Sequence, residues 1–337
     1  MSAPVTTQAP GAAPARALRV DPRRGFNVLG FRGIQGLAFL GLVALIVGAP
    51  FVFYRVFLMK VLCFALFASA FNLLLGFVGL LSFGHAAFFG AGSYVAAWTA
   101  KNLGVTPELA ILLAGVAGGV LGLGIGWLAI RRQGLTFAMI TLALGQLVYF
   151  ICLEVPYTGG EDGMQQVPRG MLFGLFDLRS DATMYWVVAV IFLVFFWLLH
   201  RVVHSPFGQV LKAIRENEPR AISLGYRTDD YKLMAFVLSS FVAGIAGGTK
   251  SIVFGIASLT DVLNATSGQV ILMTLLGGMG TIFGPGLGAT IVETMEQYLA
   301  PLGEWVTVIE GLVFVFCVLA FRRGIVGEIN ALFKTRL

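Results

Sequence analysis

Polar and apolar positions fall in long blocks along this chain. Apolar runs cover residues 34–54, 57–76, 80–100, 108–130, 134–153, 184–200, 233–256 and 304–321. An α-helix rising about 1.5 Å per residue needs about 20 apolar residues to cross a hydrocarbon core about 30 Å thick, so these runs predict membrane-spanning helices. Residues 267–300 form one longer apolar stretch, broken by Gly277-Gly278-Met279-Gly280 and Gly284-Pro285-Gly286. Irregular backbone at membrane depth is tolerated where protein or a wet cavity surrounds it, so the stretch predicts two short half-helices meeting at a bend. The fold class is an all-α integral membrane protein with about 8–10 transmembrane elements, some of them broken or re-entrant.

One hydrophilic stretch, about 204–232, interrupts the pattern. It predicts two short helices. Ser205-Pro206 supplies an N-cap and a proline at the first helical position, and Phe207 to Arg215 continue helically. Asn217-Glu218-Pro219 restarts a helix, and Gly225 stops it. Lys212, Arg215 and Arg220 alternate with Glu216 and Glu218, a mixed surface suited to a protein partner and not to nucleic acid.

Composition agrees with the pattern. Of 337 residues 58% are hydrophobic and 12% charged, and the mean hydropathy is +0.87, which excludes an ordinary soluble fold. Residues 1–33 are rich in Ala, Pro, Thr and Arg, without the apolar core of a signal peptide, and read as a disordered cytoplasmic tail. The transmembrane body would span 34–321, and 322–337 would be a second cytoplasmic tail. Placing both termini, the turn Arg131-Arg132 and the elbow, counted from Arg201 to Lys232, in the cytoplasm puts 17 of the 23 Lys and Arg on that side, as the positive-inside rule requires. Residues 154–181 hold five acids against Arg169 and Arg179 and fall on the opposite side.

Two glycine-rich segments stand out inside the membrane. The first, GFVGLLSFGHAAFFGAG, carries five glycines with Ser82, Gly84 and His85. The second, LLGGMGTIFGPGLGA, carries Gly277, Gly278, Gly280 and Gly284. Glycine here permits close backbone approach between helices, or a broken helix lining a solute pathway. An ionisable His85 at membrane depth faces protein or a wet cavity, so it is either a pathway group or a hydrogen-bonded packing group. Thr136, Thr141, Gln146 and Tyr149 recur on one run, and Ser239, Ser240, Thr249 and Lys250 on another; these read as interhelical cross-links. Glu293, Glu296 and Glu310 read as helix-end or interhelical hydrogen-bonding groups, with proton coupling the alternative. Cys63, Cys152 and Cys317 lack metal-ligand spacing and read as small buried hydrophobes.

No phosphate-binding loop occurs; Gly247-Gly248-Thr249-Lys250-Ser251 lacks the required first glycine. The chain therefore needs no ATP or magnesium of its own, and transport energy comes from an ion gradient or from separate ATPase subunits. The elbow favours the ATPases, and a self-sufficient ion-coupled secondary transporter is the alternative. No nucleophile–base or metal cluster suggests an enzyme.

Four blocks in order, GLLSFGHAAFFGAGSYVAA, GLTFAMITLALGQ with TGGEDGM, SPFGQVLKAIRENEPRAISLGY, and LLGGMGTIFGPGLGA, resemble the branched-chain amino acid ABC transporter permease family, M-type subunit. The resemblance covers about 30–328 and implies an inner-membrane importer. It further implies a homologous H-type permease, two ABC ATPase subunits that bind ATP and Mg, and a periplasmic substrate-binding protein. The elbow would be the ATPase-coupling loop, with Glu218, Ala221 and Gly225 at a degenerate form of the importer loop pattern, in which Pro219 and Arg220 replace alanines. Permeases similar in these motifs also carry urea, short amides and aromatic acids. Members often show Ser-x-Glu where this chain has Ser267-Gly268-Gln269.

Overall fold

The computed structural model describes residues 27–28, 31–32, 34–172, 174, 176–303, 305–320 and 324–333. The tail to residue 26, and the side chains of Glu310 and Cys317, lie outside the described part. The described residues form helices α1 (Ile34–Gly48), α2 (Arg55–Asn72), α3 (Ala86–Asn102), α4 (Pro107–Ala129), α5 (Leu135–Glu154) and α6 (Asp181–Val203), then the elbow helices α7 (Pro206–Glu216) and α8 (Glu218–Ser223), then α9 (Thr228–Phe254), α10 (Asn264–Gly277), α11 (Gly284–Leu299), α12 (Trp305–Ala320) and α13 (Gly324–Phe333). The only strands among them are two-residue pairs, such as Met164-Gln165 against Ile256-Ala257.

Among the described residues five helices are long and apolar enough to cross a membrane: α2 with its extension to Val78, α4, α5, α6 and α9. Their bounds agree with the apolar runs to within a few residues. The predicted span 80–100 begins only at Ala86, because Gly79 takes a left-handed φ of +83° and ends the π-helical turn Leu73–Val78 that prolongs α2. The split stretch is an antiparallel hairpin: Gln269 on α10 donates to Glu296 on α11 at 3.0 Å. At 14 and 16 residues its arms are about 21 and 24 Å long, short of a full crossing. The segment after α12 is also ordered into a helix, α13, whose first residue Gly324 abuts Gly278 at the hairpin tip.

Helix α9 is the hub, packed between α3 and α4. Small residues make that possible, since helices in lipid gain little from apolar burial and must approach closely to associate. Gly115, Gly118, Gly122 and Gly126 run along α4 against α9. A methyl on Gly118 would lie 2.5 Å from the Ser240 carbonyl oxygen, and one on Gly122 would overlap Ser240 Oγ. Gly92 and Gly244 pack backbone to backbone where α3 meets α9. By contrast α5 is loosely held, with Leu135, Met139 and Leu147 exposed. The bundle thus has an elbow end, with α7, α8 and the hairpin tip, and a loop end, with residues 155–180 and 255–263.

Candidate functional site

At the elbow end, α7 forms where the caps predict. Ser205 Oγ accepts the N–H of Gly208 at 3.3 Å, Pro206 opens the helix, and Asn217 Oδ1 accepts the N–H of Arg220 at 3.1 Å to start α8. Gly225 ends α8 at a left-handed φ of +90°, which only glycine adopts without strain. Leu211 and Ile214 bury one face of α7, and Ala221 is buried beneath α8, while Glu216 and Gly225 are exposed. Ile222 and Leu224 project apolar surface outward. Glu218 is engaged within the chain, accepting from Thr228 Oγ1 at 3.2 Å and pairing with Lys232.

Arg215 does not simply face a partner. Its guanidinium donates to the carbonyl oxygen of Gly76, and its aliphatic stem lies 3.2 Å from where a methyl on Gly79 would sit. Lys212 lies over the Phe77 ring, 5.6 Å from its centroid. Carbonyls freed by an irregular helix end need donors when buried, and the elbow supplies one to the end of α2.

The hairpin tip meets that same end. Asn72 Nδ2 donates to the Thr281 carbonyl at 2.8 Å, and Asn72 Oδ1 accepts the Gly280 N–H at 3.0 Å. Gly278 and Gly280 have φ of +118° and +78°, and a side chain on Gly277 would overlap the Gly284 carbonyl. The predicted glycines Gly277, Gly278, Gly280 and Gly284 therefore gather at one turn, joined through Asn72 and Gly76 to Arg215.

Ser82, Gly84 and His85 form a separate group deeper in the bundle. A side chain on Gly84 would overlap the Thr141 carbonyl oxygen of α5, and Thr141 Oγ1 accepts the Phe83 N–H at 3.2 Å. His85 is fully buried. Its Nε2 lies 3.0 Å from Ser239 Oγ, and Phe67, Phe71, Phe88 and Phe236 surround the ring, with centroids 5.2–6.3 Å away. Ser82 Oγ and His85 Nδ1 are buried without hydrogen-bond partners among the described residues. Ala86 N–H donates to Ser267 Oγ at 2.9 Å, tying this turn to α10. That serine stands in the Ser267-Gly268-Gln269 segment, and Gln269 holds Glu296.

At the loop end, sequence reasoning named Lys250, Glu293 and Glu296 as interhelical groups but passed over their partners, Lys60 and Asp261. Lys60, one turn into α2, lies 2.9 Å from Glu293 Oε2 and 3.1 Å from Glu296 Oε2 on α11. Lys250 on α9 pairs with Asp261, which also accepts from Ser93 Oγ at 3.3 Å. The lysine nitrogens sit 5.8 and 5.6 Å from the centroid of one ring, Phe64. Lys60 was findable, being a lone cation inside an apolar run; Asp261 lies in a connection whose partners no local pattern names. Nearby, a pocket of about 270 Å³ is lined by Tyr94, Val95, Trp98, Tyr157, Thr158 and Met164.

Several helices long and apolar enough to cross a membrane, joined by a capped two-helix elbow and a glycine hairpin bonded to it, define a multi-pass membrane protein. Residues 53–319 match the family model described as the branched-chain amino acid transport system permease component, and the chain belongs to that family. Among curated proteins it is similar to the high-affinity branched-chain amino acid transport system permease protein LivM of Salmonella typhimurium and of Escherichia coli K12. Each is 28% identical over 257 residues, 69% of this chain and 60% of the relative. It is also similar to the autoinducer 2 import system permease protein LsrC of Yersinia pestis, 29% identical over 60% of this chain and 58% of that protein. The chain thus spans about three fifths of the length of these relatives. No solved structure matches it.

Proposed function

We propose that this chain is a translocation subunit of an ATP-driven importer in the bacterial inner membrane. It carries branched-chain amino acids, or a small polar solute such as urea, a short amide or an aromatic acid. Its partners in this reading are a homologous H-type permease, two ABC ATPase subunits that bind ATP and Mg, and a periplasmic binding protein. The elbow end faces the cytoplasm and the loop end the periplasm. The observation that carries the reading is the bonded path from elbow to hairpin: Arg215 to Gly76, and Asn72 from the same helix end to Gly280 and Thr281. When ATPases draw together beneath α7 and α8, displacement of Arg215 pulls on the end of α2 and on the hairpin tip. A mechanical input thereby reaches the bundle interior through a few hydrogen bonds.

The test is reconstitution. Chain co-expressed with the ATPase, second-permease and binding-protein genes of its own neighbourhood should purify as one complex and drive ATP-dependent leucine uptake into proteoliposomes. Gradient-driven transport by this chain alone would instead establish the ion-coupled alternative.

A further inference from the structure

The loop-end charges are an unusual expense for a permease core. A buried ion pair is weak evidence for stability, because desolvating two charges offsets most of their attraction. Here two such pairs, Lys60 with Glu293 and Lys250 with Asp261, flank one ring, Phe64. Glu293 is fully buried, and its Oε1 has no hydrogen-bond partner among the described residues. Lys60 and Glu296 keep side-chain exposures of 22% and 40%, so solvent reaches the pair from one side.

We propose that this cluster is a transit site for a zwitterionic headgroup, an α-ammonium with its carboxylate; the proposal rests on the importer reading. The solute carboxylate replaces Glu296 on Lys60 and reaches toward Lys250, while its ammonium takes the unpartnered oxygen of Glu293. A zwitterion exchanges with an internal ion pair without leaving net charge buried. With Glu296 displaced into solvent, or replaced by cysteine, Lys60 and Glu293 are a matched pair to which a zwitterion adds one charge of each sign, whereas a lone carboxylate leaves an excess anion and a lone amine an excess cation. Selection by the two charges together follows from the site itself, apart from whatever the binding protein selects.

The experiment uses the full chain first, without a binding protein. Glu296→Cys, in a background with Cys63, Cys152 and Cys317 replaced by serine, is labelled with a charged thiosulfonate in detergent. Leucine should slow labelling, while 4-methylpentanoate, lacking the amine, and 3-methylbutylamine, lacking the carboxylate, should not. No protection by leucine, or equal protection by all three, overturns the site. In the assembled transporter, Lys60→Met/Glu293→Leu removes both charges at similar volume. Leucine uptake should fall by about tenfold or more, with melting temperature and ATPase co-purification unchanged. Uptake that survives this double variant overturns the site and leaves the importer reading standing. ATP-driven uptake of urea in place of leucine by the wild-type complex overturns the amino-acid reading and the site together. A wild-type complex that moves nothing on ATP overturns the importer reading, and the labelling result then decides the site alone.

Discussion

Asn72 and Gly280 stand 208 positions apart, yet the Asn72 side chain accepts the Gly280 N–H at 3.0 Å and donates to the Thr281 carbonyl at 2.8 Å. One amide thus closes both sides of the hairpin turn against the end of α2. A methyl on Gly76 would overlap Asn72 Oδ1 and lie 2.5 Å from Gly280 N, so glycine there leaves the room in which the amide meets the turn.

Replacing Asn72 by leucine keeps the volume and removes both bonds, leaving a half-buried N–H and a half-buried carbonyl unpaired. A fully buried unsatisfied group costs about 1–3 kcal/mol, which bounds the cost of each from above. The expected result is a clear drop in melting temperature of the purified chain together with loss of uptake. A variant as stable and active as wild type would remove the clamp from the mechanism.

Arg215 tests coupling apart from docking. Arg215→Met keeps an apolar stem over Gly79 and removes the donor to Gly76, while the exposed apolar face of α8, with Ile222 and Leu224, is untouched. ATPase subunits should co-purify with the variant at wild-type stoichiometry, and ATP hydrolysis should continue without solute uptake. Loss of the ATPases from the variant would instead make Arg215 a docking residue.

For docking itself, Gly225→Arg is a cleaner probe than Ala221→Glu. Gly225 is exposed and a side chain there meets nothing within 4 Å, although its φ of +90° disfavours any side chain. Ala221 is 2% exposed, so glutamate would break the elbow's own packing. Gly225→Arg should release the ATPases while the permease remains folded, and Gly225→Asn, which tolerates the left-handed region, should retain them. Equal release by both would trace the effect to backbone strain.

The elbow was legible because caps, prolines and Gly225 act within a few residues of where they stand. The hairpin was legible for the same reason: a cluster of glycines with Pro285 breaks a helix wherever it lies. What joins them was not. Asn72 reads as an unremarkable polar residue at the end of an apolar run, and nothing near it in the chain points to residue 280. The glycines of α4 show a similar limit. Gly122 reads as part of an ordinary span, yet it fits against Ser240 as tightly as Gly84 fits against Thr141. Gly84→Leu and Gly122→Leu are therefore both expected to disrupt the bundle, and a comparison of the two does not isolate a pathway. Gly124, with nothing within 4 Å, is the proper control.

His85 presents the sharpest choice between packing and passage. In the conformation described, four aromatic rings and Ser239 enclose it, and Ser239 Oγ also donates to the Ala70 carbonyl at 2.5 Å. His85→Ala would leave a cavity among those rings and leave Ser239 Oγ with only its bond to the Ala70 carbonyl, a loss of about 1–3 kcal/mol. The melting temperature should fall accordingly. His85→Gln, which can still reach Ser239, should recover part of the loss. A cysteine at 85, in the background lacking Cys63, Cys152 and Cys317, should resist small aqueous thiol reagents in the absence of nucleotide. The same measurement with ATP and vanadate added to the assembled complex decides the functional question. Labelling in that state alone would put His85 on a pathway that opens as the elbow moves; silence in every state, with the lowered melting temperature, would make it a packing histidine.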